Sequence, residues 1–138
     1  MESAAHPAAV HTAGLSKQFA GLTAVQGLDL LIERGTMCAL VGPDGAGKTT
    51  TLRMMCGILA PTGGRVEVLG MDVQRNRRDL KHRIGYLSQG FSLYEDLSID
   101  ENIEFFAEIH QVSDFRARRD ELLEFTRLTP FRSRLGGR

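Results

Sequence analysis

Alternating apolar and polar positions mark two early strands, AVHTAGL (9–15) and VQGLDLLIER (25–34), with Gly27 and Gly35 as punctuation. A third run, TMCALVG (36–42), is continuously apolar and ends in glycine. That pattern predicts a strand buried on both faces, as in a parallel sheet. In KTTTLRMMCGILA (48–60) the residues Leu52, Met55, Cys56 and Leu59 recur at helical spacing, and PTGG (61–64) then turns the chain. RVEVLG (65–70) alternates again, with Val66 and Val68 on one side. RNRRDLKHR (75–83) predicts a short helix with a solvated basic face, and IGYLSQ (84–89) another strand. SIDENIEFFAEIHQ (98–111) opens with a capping box, Ser98 and Glu101, and puts Ile99, Ile103, Phe106 and His110 on one side of a helix. A last helix is expected from Ser113 to Leu128, ended by Pro130. Strands alternating with helices predict an α/β domain over residues 8–138 behind a loose tail, residues 1–7.

Composition changes this picture little. The 138 residues suffice for one domain with a sizeable core. Lys plus Arg and Asp plus Glu number 17 each, so the net charge of +0 gives no reason to expect nucleic acid. Cys38 and Cys56 form no close pair of the metal-ligand kind, and the four histidines stand apart from them. Two thiols make no disulfide scaffold, which fits a reducing, cytoplasmic setting. The start of the chain lacks the basic and apolar regions of a signal peptide, and no apolar run reaches the roughly 20 residues a membrane helix needs. A membrane role is therefore expected only through a partner.

The chemistry concentrates in VGPDGAGKTT (41–50). Gly42, Pro43, Asp44, Gly45, Ala46, Gly47, Lys48 and Thr49 satisfy G-x-x-x-x-G-K-[ST] at every fixed position, between an expected strand and an expected helix. A triphosphate is wrapped by backbone N–H groups, which side chains would hold at a distance. The positive end of the following helix favours the anion. Lys48 reaches the β- and γ-phosphates, and the Thr49 hydroxyl, followed by Thr50, helps complete a Mg²⁺ shell. ATP and Mg²⁺ are the expected ligands. The glycine spacing does not fit G-x-G-x-x-G, so a dinucleotide fingerprint is disfavoured.

Three stretches narrow the choice: LSKQF (15–19), the extended loop GPDGAGKTTTLRMMCGILAPTGGRVEVLG (42–70), and IGYLSQGFSLYEDLSIDENIEFFA (84–107). Together they resemble the ATP-binding subunit of ABC transporters, and most closely the ATPases of ABC-2-type exporters. The resemblance implies a P-loop NTPase fold of the ABC nucleotide-binding type, with an antiparallel β subdomain and a parallel α/β core. It implies that Phe19 stacks on adenine, that Val25 packs near sugar and base, and that Gln89 meets Mg²⁺ or the attacking water. Gly90 to Leu97, with Phe91 and Tyr94, would face a transmembrane permease, although these aromatics equally suit a core. A second ABC ATPase subunit and a place on the inner face of the cell membrane complete the expectation.

Two departures qualify it. Asp44 stands where the family usually has Asn. RLGGR (134–138) lacks the serine of the LSGGQ signature, and no apolar run after residue 90 ends in two acidic residues. The resemblance therefore covers the N-terminal part of a nucleotide-binding domain, without signature, Walker B strand or switch histidine. A nucleotide-binding regulatory module without turnover is the alternative. A GTPase is disfavoured because N-K-x-D is absent, and a kinase because no acceptor lid is recognisable.

Overall fold

The computed structural model describes residues 8–90 and 93–137. The contact pattern divides the chain into two compact units, Met1–Leu87 and Ser88–Arg138. The expected tail (1–7) and Phe91 lie outside the described residues.

The first unit is built on an antiparallel sheet of order β2-β1-β3-β4. Strand β1 (Ala8–Phe19) pairs with β2 (Leu22–Glu33) on one edge and β3 (Gly63–Val68) on the other, and β3 turns into the two-residue β4 (Met71–Asp72). Both early strands are longer than their alternation suggested. Irregularities in the ladder absorb the excess, one of them between Thr12 and Leu15. Gly64 is required opposite that point: its φ is +73°, and a Cβ there would collide with the Gly14 carbonyl.

Helix α1 (Lys48–Met55) and the single turn α2 (Arg77–Leu80) belong to the same unit. Leu15, Val25, Met54, Met55, Val66, Val68, Val73 and Leu80 form its core. Each large apolar side chain buried there contributes about 2 kcal/mol through water exclusion. Val66 and Val68 face inward as their alternation predicts. The helix does not present the expected face. It ends at Met55, buries Thr51, Met54 and Met55, and leaves Leu52 45% exposed. Four-residue spacing carried the reading past a helix that stops after two turns, and Cys56–Leu59 lies in turns beyond it.

The parallel-sheet strand expected at 36–42 and the further strand expected at 84–89 are also absent. Residues 36–42 and 84–89 run without a ladder partner among the described residues, and Met37, Val41 and Leu87 stand 102%, 94% and 90% exposed. Apolar composition records a demand for burial, whereas a strand also needs a neighbour to accept its backbone hydrogen bonds. No such neighbour is paired with either run among the described residues.

The second unit is a pair of helices, α3 (Ile99–Ile109) and α4 (Phe115–Phe125), with a 3-10 turn at Thr129–Phe131. The capping box forms as expected: the Ser98 hydroxyl accepts from the Glu101 N–H, and the Glu101 carboxylate accepts from the Ser98 N–H at 2.7 Å. Ile99, Ile103 and Phe106 are half-buried, but His110 is exposed, because the most buried positions of α3 are Asn102 and Ala107. Asn102 accepts from the Tyr94 N–H and donates to the Tyr94, Leu97 and Ser98 carbonyls, at 2.8–3.1 Å. It ties the 94–98 segment to the helix start. Arg119 and Arg132 both approach Asp100 and Asp120, which closes α4 and the 3-10 turn onto the start of α3.

Candidate functional site

The glycine-rich loop sits where the sequence places it, immediately before α1. Gly45 and Gly47 both adopt positive φ, 78° and 84°, the region that suits residues without a Cβ. At Gly47 the requirement is also steric, since a Cβ would strike the Ala24 carbonyl and come to 3.1 Å of the Val25 Cγ2. The loop is therefore seated on β2 at the point where it becomes helix. Ala46 N–H donates to the Pro43 carbonyl at 3.3 Å, which closes the turn inside the loop.

Helix α1 begins without a side-chain cap and with no acidic residue in its first turn. The first main-chain bond closing the helix start is Thr51 N–H to the Gly47 carbonyl, at 2.8 Å. Among the described residues, nothing accepts from the N–H groups of Lys48, Thr49 and Thr50. Three amides and the positive end of the helix thus meet at one place, which is the donor set an anion requires. The contrast with α3 is direct, because there Ser98 and Glu101 occupy the same positions.

Lys48 folds back over the loop and donates to the carbonyls of Gly42 and Pro43, each at 2.7 Å. An ammonium has three donors, so one remains for an outside acceptor. Thr49 is exposed, and among the described residues no group of three or more His, Cys, Asp or Glu side chains could hold a metal. The residues present therefore fit a Mg²⁺ ion that arrives on phosphate oxygens and takes one hydroxyl from the chain. Asp44 is exposed on the loop and takes part in no ion pair among the described residues.

The other expected site residues divide between the two units. Phe19 ends β1 and is 43% exposed, open to a flat ring. Val25, expected near sugar and base, is 8% exposed and belongs to the core. It pairs with Lys17 across the β1–β2 ladder and packs behind Gly47, so it spaces the end of β1 from the loop. Gln89 is exposed and belongs to the second unit. Tyr94 is 47% exposed, and its ring meets Phe105 edge-on at 4.8 Å. Sequence reasoning overlooked Lys17, whose ammonium lies 5.0 Å from the centre of the Phe19 ring. The signal was available: residues two apart on a strand share a face.

Burial raises the pKa of the Cys56 thiol above its ordinary value. No helix of the described residues is long and apolar enough to cross a membrane.

Comparison with known proteins agrees with this geometry. The family pattern described as "ABC transporter" matches residues 25–137. The "Probable multidrug ABC transporter ATP-binding protein YbhF" of Escherichia coli (strain K12) is 45% identical over an alignment of 130 residues that covers 91% of this chain and 22% of that protein. The "Daunorubicin resistance ATP-binding protein DrrA3" of Streptomyces coeruleorubidus is 42% identical over 118 residues, 84% of this chain and 37% of that protein. A solved structure described as "ATP binding subunit of ABC transporter" superposes with a TM-score of 0.78 at 25% identity, covering 91% of this chain and 53% of that one. The chain thus spans well under two thirds of the length of each. With its loop, its uncapped helix start and a family pattern that covers most of its length, the chain belongs to the ABC transporter family of ATP-binding proteins, which have the P-loop NTPase fold.

Proposed function

We propose that this chain binds ATP–Mg²⁺ as part of a transporter subunit that couples ATP binding and hydrolysis to export through a transmembrane permease. The observation that carries the reading is the set of free amides of Lys48, Thr49 and Thr50 beneath a single lysine ammonium. Gly42 to Thr50 cradle the phosphates, with Lys48 leaving its two carbonyls to meet them. Thr49 supplies a hydroxyl to Mg²⁺, and Phe19 stacks on the base. Gln89, exposed, is assigned the side-chain oxygen that meets Mg²⁺ or the attacking water, as the family resemblance implies. Bound Mg²⁺ would neutralise charge on the phosphates during transfer.

Export is proposed from the resemblance to ABC-2-type exporter ATPases, and the names of two relatives speak of a multidrug transporter and of daunorubicin resistance. A permease and a second ATP-binding subunit are the proposed partners, and the inner face of the cell membrane the proposed location. Nucleic acid is not an expected partner, given the balanced charge.

Titration of the chain with ATP–Mg²⁺ tests the reading. The expected result is saturable binding that Lys48→Ala lowers at least about tenfold, the size of one lost charge-assisted contact. Unchanged binding by Lys48→Ala would overturn it. A second reading, binding without turnover, applies to residues 1–138 taken alone, which hold neither an LSGGQ stretch nor paired acidic residues closing an apolar run after residue 90. Phosphate release by residues 1–138 alone is then expected to match a protein-free blank.

A further inference from the structure

We propose that Lys17 is a positioning residue for the base platform: it holds the Phe19 ring ready for an adenine and thereby sets affinity for the nucleoside part of the ligand, not for its phosphates. The inference rests on the reading that Phe19 stacks on the base. Lys17 and Phe19 lie two apart on β1 and share a face of the sheet. The Lys17 ammonium is 5.0 Å from the ring centre, within the range of a cation–π contact.

The ammonium is not a free rotor. It donates to the Ala60 carbonyl at 2.7 Å. That carbonyl is itself anchored, because its neighbours are bonded to the end of β1. Thr62 N–H donates to the Ser16 carbonyl at 2.9 Å, and Gln18 N–H donates to the Thr62 hydroxyl at 3.1 Å. Lys17 therefore connects the ring to the chain that leaves α1, the helix whose other end carries the phosphate loop. Across the ladder, Lys17 pairs with Val25, which packs behind Gly47.

Among the described residues no ring–ring contact involves Phe19. Its ladder partner Leu22 is 69% exposed, and the ring itself is 43% exposed at the end of a strand. An exposed terminal ring samples several rotamers, and a base that stacks on it must bear the cost of ordering it. A lysine locked beneath the ring removes that cost in advance and leaves the remaining ring surface for a ligand.

The test compares ATP–Mg²⁺ with inorganic tripolyphosphate–Mg²⁺, which carries phosphates and no base. Both are titrated into the full chain and into Lys17→Met, Lys17→Arg, Phe19→Ala and the Lys17→Met/Phe19→Ala pair. Lys17→Met is expected to weaken ATP binding about three- to fivefold, the yield of one exposed cation–π contact, and to leave tripolyphosphate binding unchanged. Lys17→Arg is expected to restore most of the loss. In the Phe19→Ala background, Lys17→Met is expected to add nothing, since the lysine acts through the ring. Equal losses for both ligands, a further loss in the double variant, or unchanged ATP binding by Lys17→Met would each overturn the inference. The two readings separate on Phe19→Ala. If that variant loses ATP affinity while Lys17→Met does not, only the role of Lys17 fails. If Phe19→Ala keeps full ATP affinity, base stacking fails and the role of Lys17 with it.

Discussion

At the scale of single residues, the loop is constrained from two sides. The N–H groups of Lys48, Thr49 and Thr50 have no acceptor among the described residues, while Gly47 is pressed inward against Ala24 and Val25. A methyl group at Gly47 would have to displace the Ala24 carbonyl and hold a left-handed backbone, which costs about 1–2 kcal/mol before any clash. Gly47→Ala is therefore expected to lower both the melting temperature and ATP affinity, whereas a purely ligand-side role would lower affinity alone. Asp44 presents the opposite case. It is exposed, unpaired among the described residues, and can point away from an anion at little cost. Exchange for Asn removes one like charge near a triphosphate, so Asp44→Asn is expected to bind ATP–Mg²⁺ about two- to threefold more tightly at low salt, with the gain fading as salt screens it. Weaker binding by the Asn form would show that the carboxylate helps to hold the ligand. The motif was fully legible in the sequence because each of its requirements is local. The burial of Val25 was not, since it depends on where β1 and α1 come to lie.

At the scale of elements, local signals survived and long-range ones did not. The capping box of α3 and the alternation of β3 are written within a few residues, and both appear as expected. The face of α1 depended on where the helix stops, and the buried Asn102 on a loop eight residues upstream. Neither fact is contained in an apolar period. The cap also has a pH signature. The Ser98 hydroxyl, and then the Ser98 N–H, hydrogen-bond the Glu101 carboxylate and hold its pKa below the ordinary value. A carboxyl depressed in the folded state stabilises above its unfolded pKa, and that contribution is lost as pH falls through the folded value. The start of α3 is therefore expected to stay closed through the ordinary glutamate range and loosen only below it, as read by amide exchange at Glu101 and Asn102. In Ser98→Ala the same loosening is expected at higher pH, and the cap loss costs about 1 kcal/mol. An acid transition identical in both forms would mean that the hydrogen bond does not govern it.

At the scale of the whole molecule, the apolar runs at 36–42 and 84–89 decide how the chain behaves in solution. Sequence patterning read 36–42 as a strand buried on both faces and 84–89 as another strand, and the structure leaves Met37, Val41 and Leu87 almost fully exposed. What the apolar pattern could not supply was a neighbour in the sheet. Segments of this kind combine apolar side chains with unpaired backbone groups, which is the template for edge-to-edge association. Residues 1–138 on their own are accordingly expected to bind a hydrophobic dye and to associate as concentration rises. Met37→Glu with Leu87→Glu places one charge in each run without touching the glycine loop, and like charges on segments that would pair oppose their approach. The double variant is expected to remain monomeric to several-fold higher concentration in sedimentation or light scattering, with dye binding reduced and ATP affinity unchanged. Parent chain that stays monomeric and dye-free would place these runs in contacts of their own. Association that persists undiminished in the double variant would assign it instead to other exposed apolar side chains, of which Phe125, 85% exposed on α4, is the largest.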